Sequence, residues 1–102
     1  MKVGVAATGG SLDAQVSEQF GRCRYFLVVD TETFRFEAFS NPASIAATGA
    51  GPAAASELAN RKTDVVMAGQ FGPNAKRALD AAGIRCEQAS GRVRDAVAAM
   101  KR

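Results

Sequence analysis

Along Lys2–Thr8, Val3, Val5 and Ala7 fall on one side of an extended chain and Gly4, Ala6 and Thr8 on the other. Nearly every position is apolar or small, so the segment predicts a central strand covered on both faces. Gly9-Gly10-Ser11 breaks it, and Leu12–Gly21 reads as a loop or short irregular turn. Tyr25–Asp30, aromatic and β-branched, predicts a second strand. After the polar turn Asp30–Thr33, Phe34–Phe39 alternates Phe34, Phe36 and Ala38 with Arg35, Glu37 and Phe39, as a half-exposed edge strand would. Asn41-Pro42 ends it. Residues 41–51 read as a loop, with a turn of helix at Ile45–Ala47. Gly51-Pro52 opens a helix running to Lys62. The apolar run Asp64–Ala68 predicts a buried fourth strand. Pro73 then begins a helix to Ala82, with Ala75, Ala78, Leu79 and Ala82 on one face and Gly83 just past its end. Ile84–Gln88 predicts a fifth strand, and Ser90 caps a last helix, Gly91–Met100, turned inward by Val93, Val97 and Met100.

The order βββαβαβα predicts a single α/β domain over residues 1–102. Right-handed crossovers and neighbouring sequential strands give a five-stranded mixed sheet of order 3-2-1-4-5, with strand two antiparallel and three helices, a ribonuclease H-like arrangement. On one rim of that sheet five segments then converge: Thr8–Gly21, Arg22-Cys23-Arg24, 41–51, Gln70–Gly72 and Gln88–Gly91. Three helix N-termini, at Pro52, Pro73 and Gly91, are expected to open onto it. Glycines, helix dipoles and Arg22, Arg24 and Arg92 together predict an anion-binding cleft at the switch in strand order between strands one and four.

Composition narrows the chemistry. The formal charge is +3, mildly basic, without the Lys/Arg run or stacking aromatics of a nucleic-acid surface. No histidine is present, which removes a His-based triad, a His-held metal and an imidazole base. Strand one carries no acid, so two-metal nuclease chemistry is not expected, and no Gly-Lys-Ser/Thr phosphate loop occurs. Without an acid/base pair, a hydrolase or transferase is the least expected class. No membrane span is apparent, and a cytoplasmic protein with reduced thiols is expected.

The run Val16–Asp30, containing Gln19-Phe20-Gly21-Arg22-Cys23-Arg24, joins other marks. These are Lys2–Val5, Asn41-Pro42, Thr48-Gly49-Ala50-Gly51-Pro52, Asp64–Val66 and Gly72-Pro73-Asn74-Ala75. In this order and at these spacings the chain resembles the dinitrogenase iron–molybdenum cofactor biosynthesis family. The resemblance implies a non-catalytic domain that carries an anionic iron–sulfur or iron–molybdenum–sulfur cluster, transiently bound, for assembly or delivery. It implies as partner a cofactor-assembly protein or a recipient metalloprotein. Many relatives carry His where this chain has Gln19, a poor soft-metal ligand.

The candidate cofactor-binding residues are Gln19, Phe20, Gly21, Arg22, Cys23, Arg24, Gly49, Gly51, Gln70, Phe71, Gly72 and Asn74. Cys23 is the candidate metal ligand. Two flanking arginines are expected to favour its thiolate, against the alternative of a small buried apolar residue. Arg22 either clamps an anion or pairs with Glu18. Phe20 and Phe71 either wall a cleft or anchor their loops, and Asn74 either bonds locally or touches ligand. Cys86 is expected to be structural. Competing readings are a module for a nucleotide or other anion and a regulatory protein-interaction domain. The Phe34–Phe39 edge permits sheet-to-sheet pairing, so a monomer or weak dimer is expected.

Overall fold

A computed structural model describes residues 1–41 and 50–100 of the chain. The strands are β1 (Lys2–Ala7), β2 (Tyr25–Asp30), β3 (Phe36–Ser40), β4 (Val65–Ala68) and β5 (Arg85–Gln88). The helices are α1 (Ala50–Asn60), α2 (Pro73–Ala81) and α3 (Val93–Met100), with a short 3-10 turn at Phe20–Arg22. The sheet order is β3-β2-β1-β4-β5, as the pattern predicts. β2 runs antiparallel to β1 and β3, while β1, β4 and β5 are parallel. The expected turn at Ile45–Ala47 and Gly49 lie outside the described residues.

The alternation along β1 sets the two layers. Ala6, Phe26, Val28 and Val66 pack with Ala54, Ala55 and Leu58 of α1 and Ala75 and Leu79 of α2. On the other face Val3, Val5, Ala7, Leu27 and Val29 pack with Val93, Ala96 and Val97 of α3. Leu12 and Val16, inside the segment expected to be loop, belong to this second layer. A single helix cannot cover a whole sheet face, and these two side chains extend the cover it provides.

Several boundaries differ from expectation, two of them because a non-glycine residue takes a positive φ. β3 begins at Phe36 because Phe34 takes φ 60°, lengthening the hairpin loop, and Phe34 N donates to Asp30 O. Phe39 then turns inward onto Phe26, with ring centroids 5.7 Å apart, and Phe36 is left exposed. α1 stops at Asn60, where Lys62 at φ 59° lets Thr63 N donate back to Leu58 O. α3 begins at Val93, not Gly91. The end of α2 is as expected: Gly83 at φ 76° follows it, and Ile84 N donates to Leu79 O.

Candidate functional site

The chain leaving β1 does not simply pass over the rim; residues 15–20 are stitched across it. Ser17 N donates to Ala6 O at 2.7 Å, and Gly69 N donates to Ser17 O at 2.8 Å. Phe20 N donates to Gln70 O at 3.1 Å, which makes Gln19 and Gln70 neighbours in a parallel bridge. Residues 15–20 therefore act as a strap bonded to the carboxyl ends of both β1 and β4. The crevice between those strands, expected to take the ligand, is filled by the protein's own main chain. A Cβ on Gly69 would stand 2.7 Å from both Cα and O of Glu18, so the strap seats directly on a glycine.

The segment leading into the strap consumes a helix end. Val93 N donates to Ala14 O and Arg94 N to Leu12 O, both at 2.9 Å. The first amides of α3, expected to face a ligand, are thus capped by main-chain carbonyls, the role sequence gives to Ser90. α2 differs. Its N-cap is Gly72 with φ −69° and ψ 161°, Pro73 follows, and no side chain caps it. The positive end of α2 remains directed at the rim.

Beyond the strap, the 3-10 turn carries the basic residues. Phe20 is fully buried, with its ring 5.1 Å from Phe26 and 5.5 Å from Phe71. Between the two roles open to them, Phe20 is an anchor. Half-buried Phe71 ties the Gln70–Gly72 loop to it. Arg22 and Arg24 are exposed, and among the described residues neither forms an ion pair, so the Arg22–Glu18 pair is not made. Asn74 Oδ1 accepts from Arg77 Nη2 at 3.1 Å, a local bond. Gly51 lies in the first turns of α1.

Cys23 lies between the arginines yet is 2% exposed, inside the α1–α2 layer. Burial pushes its thiol up to about 12, outweighing hydrogen bonds with the Ala7 main chain and the Asn41 side chain. The expected thiolate is therefore not formed at neutral pH; the exposed guanidinium groups on either side do not offset desolvation. Because the unfolded thiol ionises near 9.0, its contribution to stability is full below that value. It is lost as pH rises through the folded value. Urea midpoints are expected to fall between those two pH values, and less steeply in Cys23→Ala. In native protein Cys86 is expected to react with a thiol reagent well before Cys23, since Cys86 is partly exposed.

Two further features border the site. Asn41 Nδ2 donates to Gly21 O at 3.2 Å and Cys23 O at 3.1 Å, holding the exit of the 3-10 turn. On the other side of the strap an open cleft of about 450 Å³ is lined by Val16, Glu18, Gly69, Gln70, Gln88 and Ser90. There Gln88 Nε2 donates to Gly69 O at 2.9 Å. Among the described residues no three His, Cys, Asp or Glu side chains gather to hold a metal ion. No helix among them is long and apolar enough to cross a membrane.

Solved structures of similar chains share this arrangement. The apo form of the orange protein from Desulfovibrio gigas is 40% identical, with a TM-score of 0.92, covering 98% of this chain and 86% of that one. A candidate NifB protein from Thermotoga is 31% identical, with a TM-score of 0.84 and coverage of 98% and 86%. A candidate dinitrogenase from Methanocaldococcus jannaschii is 16% identical with a TM-score of 0.71, covering 98% and 86%, a likeness of fold. No curated protein matches the chain. The model of the dinitrogenase iron-molybdenum cofactor family matches residues 1–102, and the chain belongs to that family.

Proposed function

We propose that this chain is a non-catalytic carrier that holds an anionic metal–sulfur cluster on the rim and passes it to, or receives it from, a metalloprotein partner. The cargo is an iron–sulfur or iron–molybdenum–sulfur cluster or a precursor. The observation that carries this reading is the pair of exposed guanidinium groups, Arg22 and Arg24, unpaired among the described residues. They share the rim with the uncapped start of α2. Family membership supports it. So does a relative named for its colour and solved in an apo form, as a removable cluster would give.

Because no ligand cluster of side chains exists among the described residues, the cargo is held from outside by charge and hydrogen bonds. Arg22, Arg24 and the Gln70–Gly72 amides are the contacts, with Gln19, Gly21, Asn74 and Gly51 around them. Phe20 and Phe71 keep the two loops in register. Cys23, neutral and buried, supports the turn from below.

The test is an anaerobic titration with a [4Fe–4S] cluster and with tetrathiomolybdate, following visible colour through gel filtration. Stoichiometric colour is expected to stay with the protein and to be released by added salt. Arg22→Ala/Arg24→Ala is expected to weaken binding by roughly 10-fold or more, since losing even one charge-assisted hydrogen bond costs about 1.5–3 kcal/mol. Cys23→Ala is expected to keep its colour. Retention of no cluster, with thermal stabilisation by nucleotides instead, would replace the carrier with an anion-binding module.

A further inference from the structure

β3 ends the sheet: β2 lies on one side, and among the described residues no strand lies on the other. Two hydrogen bonds say which groups face outward. Asp30 N donates to Arg35 O and Asn41 N to Arg24 O, so odd-numbered residues here turn their main chain toward β2. Antiparallel ladders alternate, which leaves the N–H and C=O groups of Phe36, Ala38 and Ser40 along the open edge. These residues pair with Val29, Leu27 and Tyr25 and share their face of the sheet, the α3 side. That corner has thin cover: Gly10 lies against Ala38 and Tyr25, where a Cβ on it would stand 3.7 Å from each, yet Phe36 is 40% and Tyr25 36% exposed, and Ala38 is exposed as well.

We propose that a second copy of this chain pairs with this edge, antiparallel, about a two-fold axis at Ala38, forming a weak dimer with one continuous sheet. This is independent of the cargo reading. Three observations select the occupant and the register. First, Phe36 then faces the partner's Ser40, and Ala38 faces its own copy, so every outward group of β3 is bonded. A register centred on Phe36 would use less of the strand, because Phe34 at φ 60° has already left it.

Second, Ala38 and Ser40 are small, and Tyr25 lies beside Ser40 in the ladder. The partner's Phe36 lies across Ser40 toward Tyr25, so the exposed rings of each copy cover those of the other. Third, the opposite face is complementary in charge. Glu37 accepts from Arg61 Nη1 at 2.9 Å, and the Arg61 guanidinium stands 4.0 Å from the Phe39 ring centroid. The two-fold places Glu37 opposite the partner's Phe39, beneath the partner's Arg61. Each guanidinium, already paired with Glu37 at 2.9 Å and with Glu57 at 3.1 Å in its own chain, then also lies over the partner's Glu37. One short strand edge buries little area, which sets the dimer as weak.

The test is sedimentation of the full chain from micromolar to millimolar concentration, with residue-resolved amide exchange at both ends of that range. A concentration-dependent dimer is expected, with slowed exchange at Phe36, Ala38 and Ser40 and unchanged exchange at Glu37 and Phe39. Ala38→Pro removes an outward N–H that the monomer's own ladder does not use, so it is expected to fold and stay monomeric. Ala38→Lys, which sets two like charges face to face on the axis, is expected to do the same if the proline variant fails to fold. A chain that stays monomeric at millimolar concentration, a dimer unaffected by either variant, or protection confined to another surface overturns the proposal.

Discussion

Phe20→Ala is expected to lower stability by about 3–5 kcal/mol, the range for emptying a fully buried aromatic site. The ring has no exposed area and touches two others, Phe26 from β2 and Phe71 from the loop after β4. Its removal therefore cuts contacts both to β2 and to the loop after β4. Tilted aromatic pairs add about 0.5–1.5 kcal/mol beyond area, and this residue makes two. A domain of this size has about 5–15 kcal/mol in total, so the variant is expected to melt upwards of 12 °C lower, at about 4–8 °C per kcal/mol. Phe20→Leu, which keeps most of the volume, is expected to lose far less. Thermal and urea unfolding of the three proteins decide it. A loss within about 1 kcal/mol for the alanine variant would return Phe20 to the role of cleft wall, because walls are truncated more cheaply than anchors.

The second large effect is expected at Gly69, where the added group is one methyl. Glu18 Cα and O would lie 2.7 Å from the new Cβ, and both are main-chain atoms that cannot rotate away. The strap must lift, and the Gly69 N to Ser17 O bond and the Phe20 N to Gln70 O bond lengthen with it. The expected cost is about 2–3 kcal/mol, in the range for overpacking a closed site. Gly72→Ala is the matched control. A Cβ there would meet no atom within 4 Å, and the φ of −69° is one that any residue adopts. It is expected to stay within about 0.5 kcal/mol of the parent. Equal melting temperatures for the two alanine variants would show that the strap is not seated as described.

The sheet was legible because its signals are local and repeated. Val3, Val5 and Ala7 alternate with small residues, Val65–Ala68 is an unbroken apolar run, and the glycine-proline and glycine punctuation of α2 falls where the helix turns. Order and handedness then follow from general rules of connection. The strap was not legible. Leu12, Val16 and Phe20 are spaced like a helix face, yet they are buried by bonds to Ala6, Gly69 and Gly91, which lie far along the chain or on the other side of it. No local pattern encodes such pairing. The same long-range burial reverses the reading of Cys23. Two adjacent arginines suggest a thiolate, but Cys23 takes an extended backbone between the 3-10 turn and β2, and its side chain turns inward while its neighbours turn out. Desolvation then outweighs charges that remain in solvent. Arg22 and Arg24 survive as candidates for that reason: the alternation that buries Cys23 exposes both of them.

The strap has a consequence for how the protein matures. The carbonyls of Leu12 and Ala14, just before it, cap α3, and within it Val16 N donates to Gly91 O. Asp13 meets Arg94 across 81 positions of sequence. A chain emerging from the ribosome can build β1, β2 and β3 early as a local meander, but the strap has no seat until Gly69 and Gln70 have emerged, and its bond to Gly91 waits for the entry to α3. Contacts of such separation are the slow ones in folding. The rim is thus completed late in synthesis, and a nascent chain that has not yet released Gly69–Gly91 lacks the seat that fixes the strap.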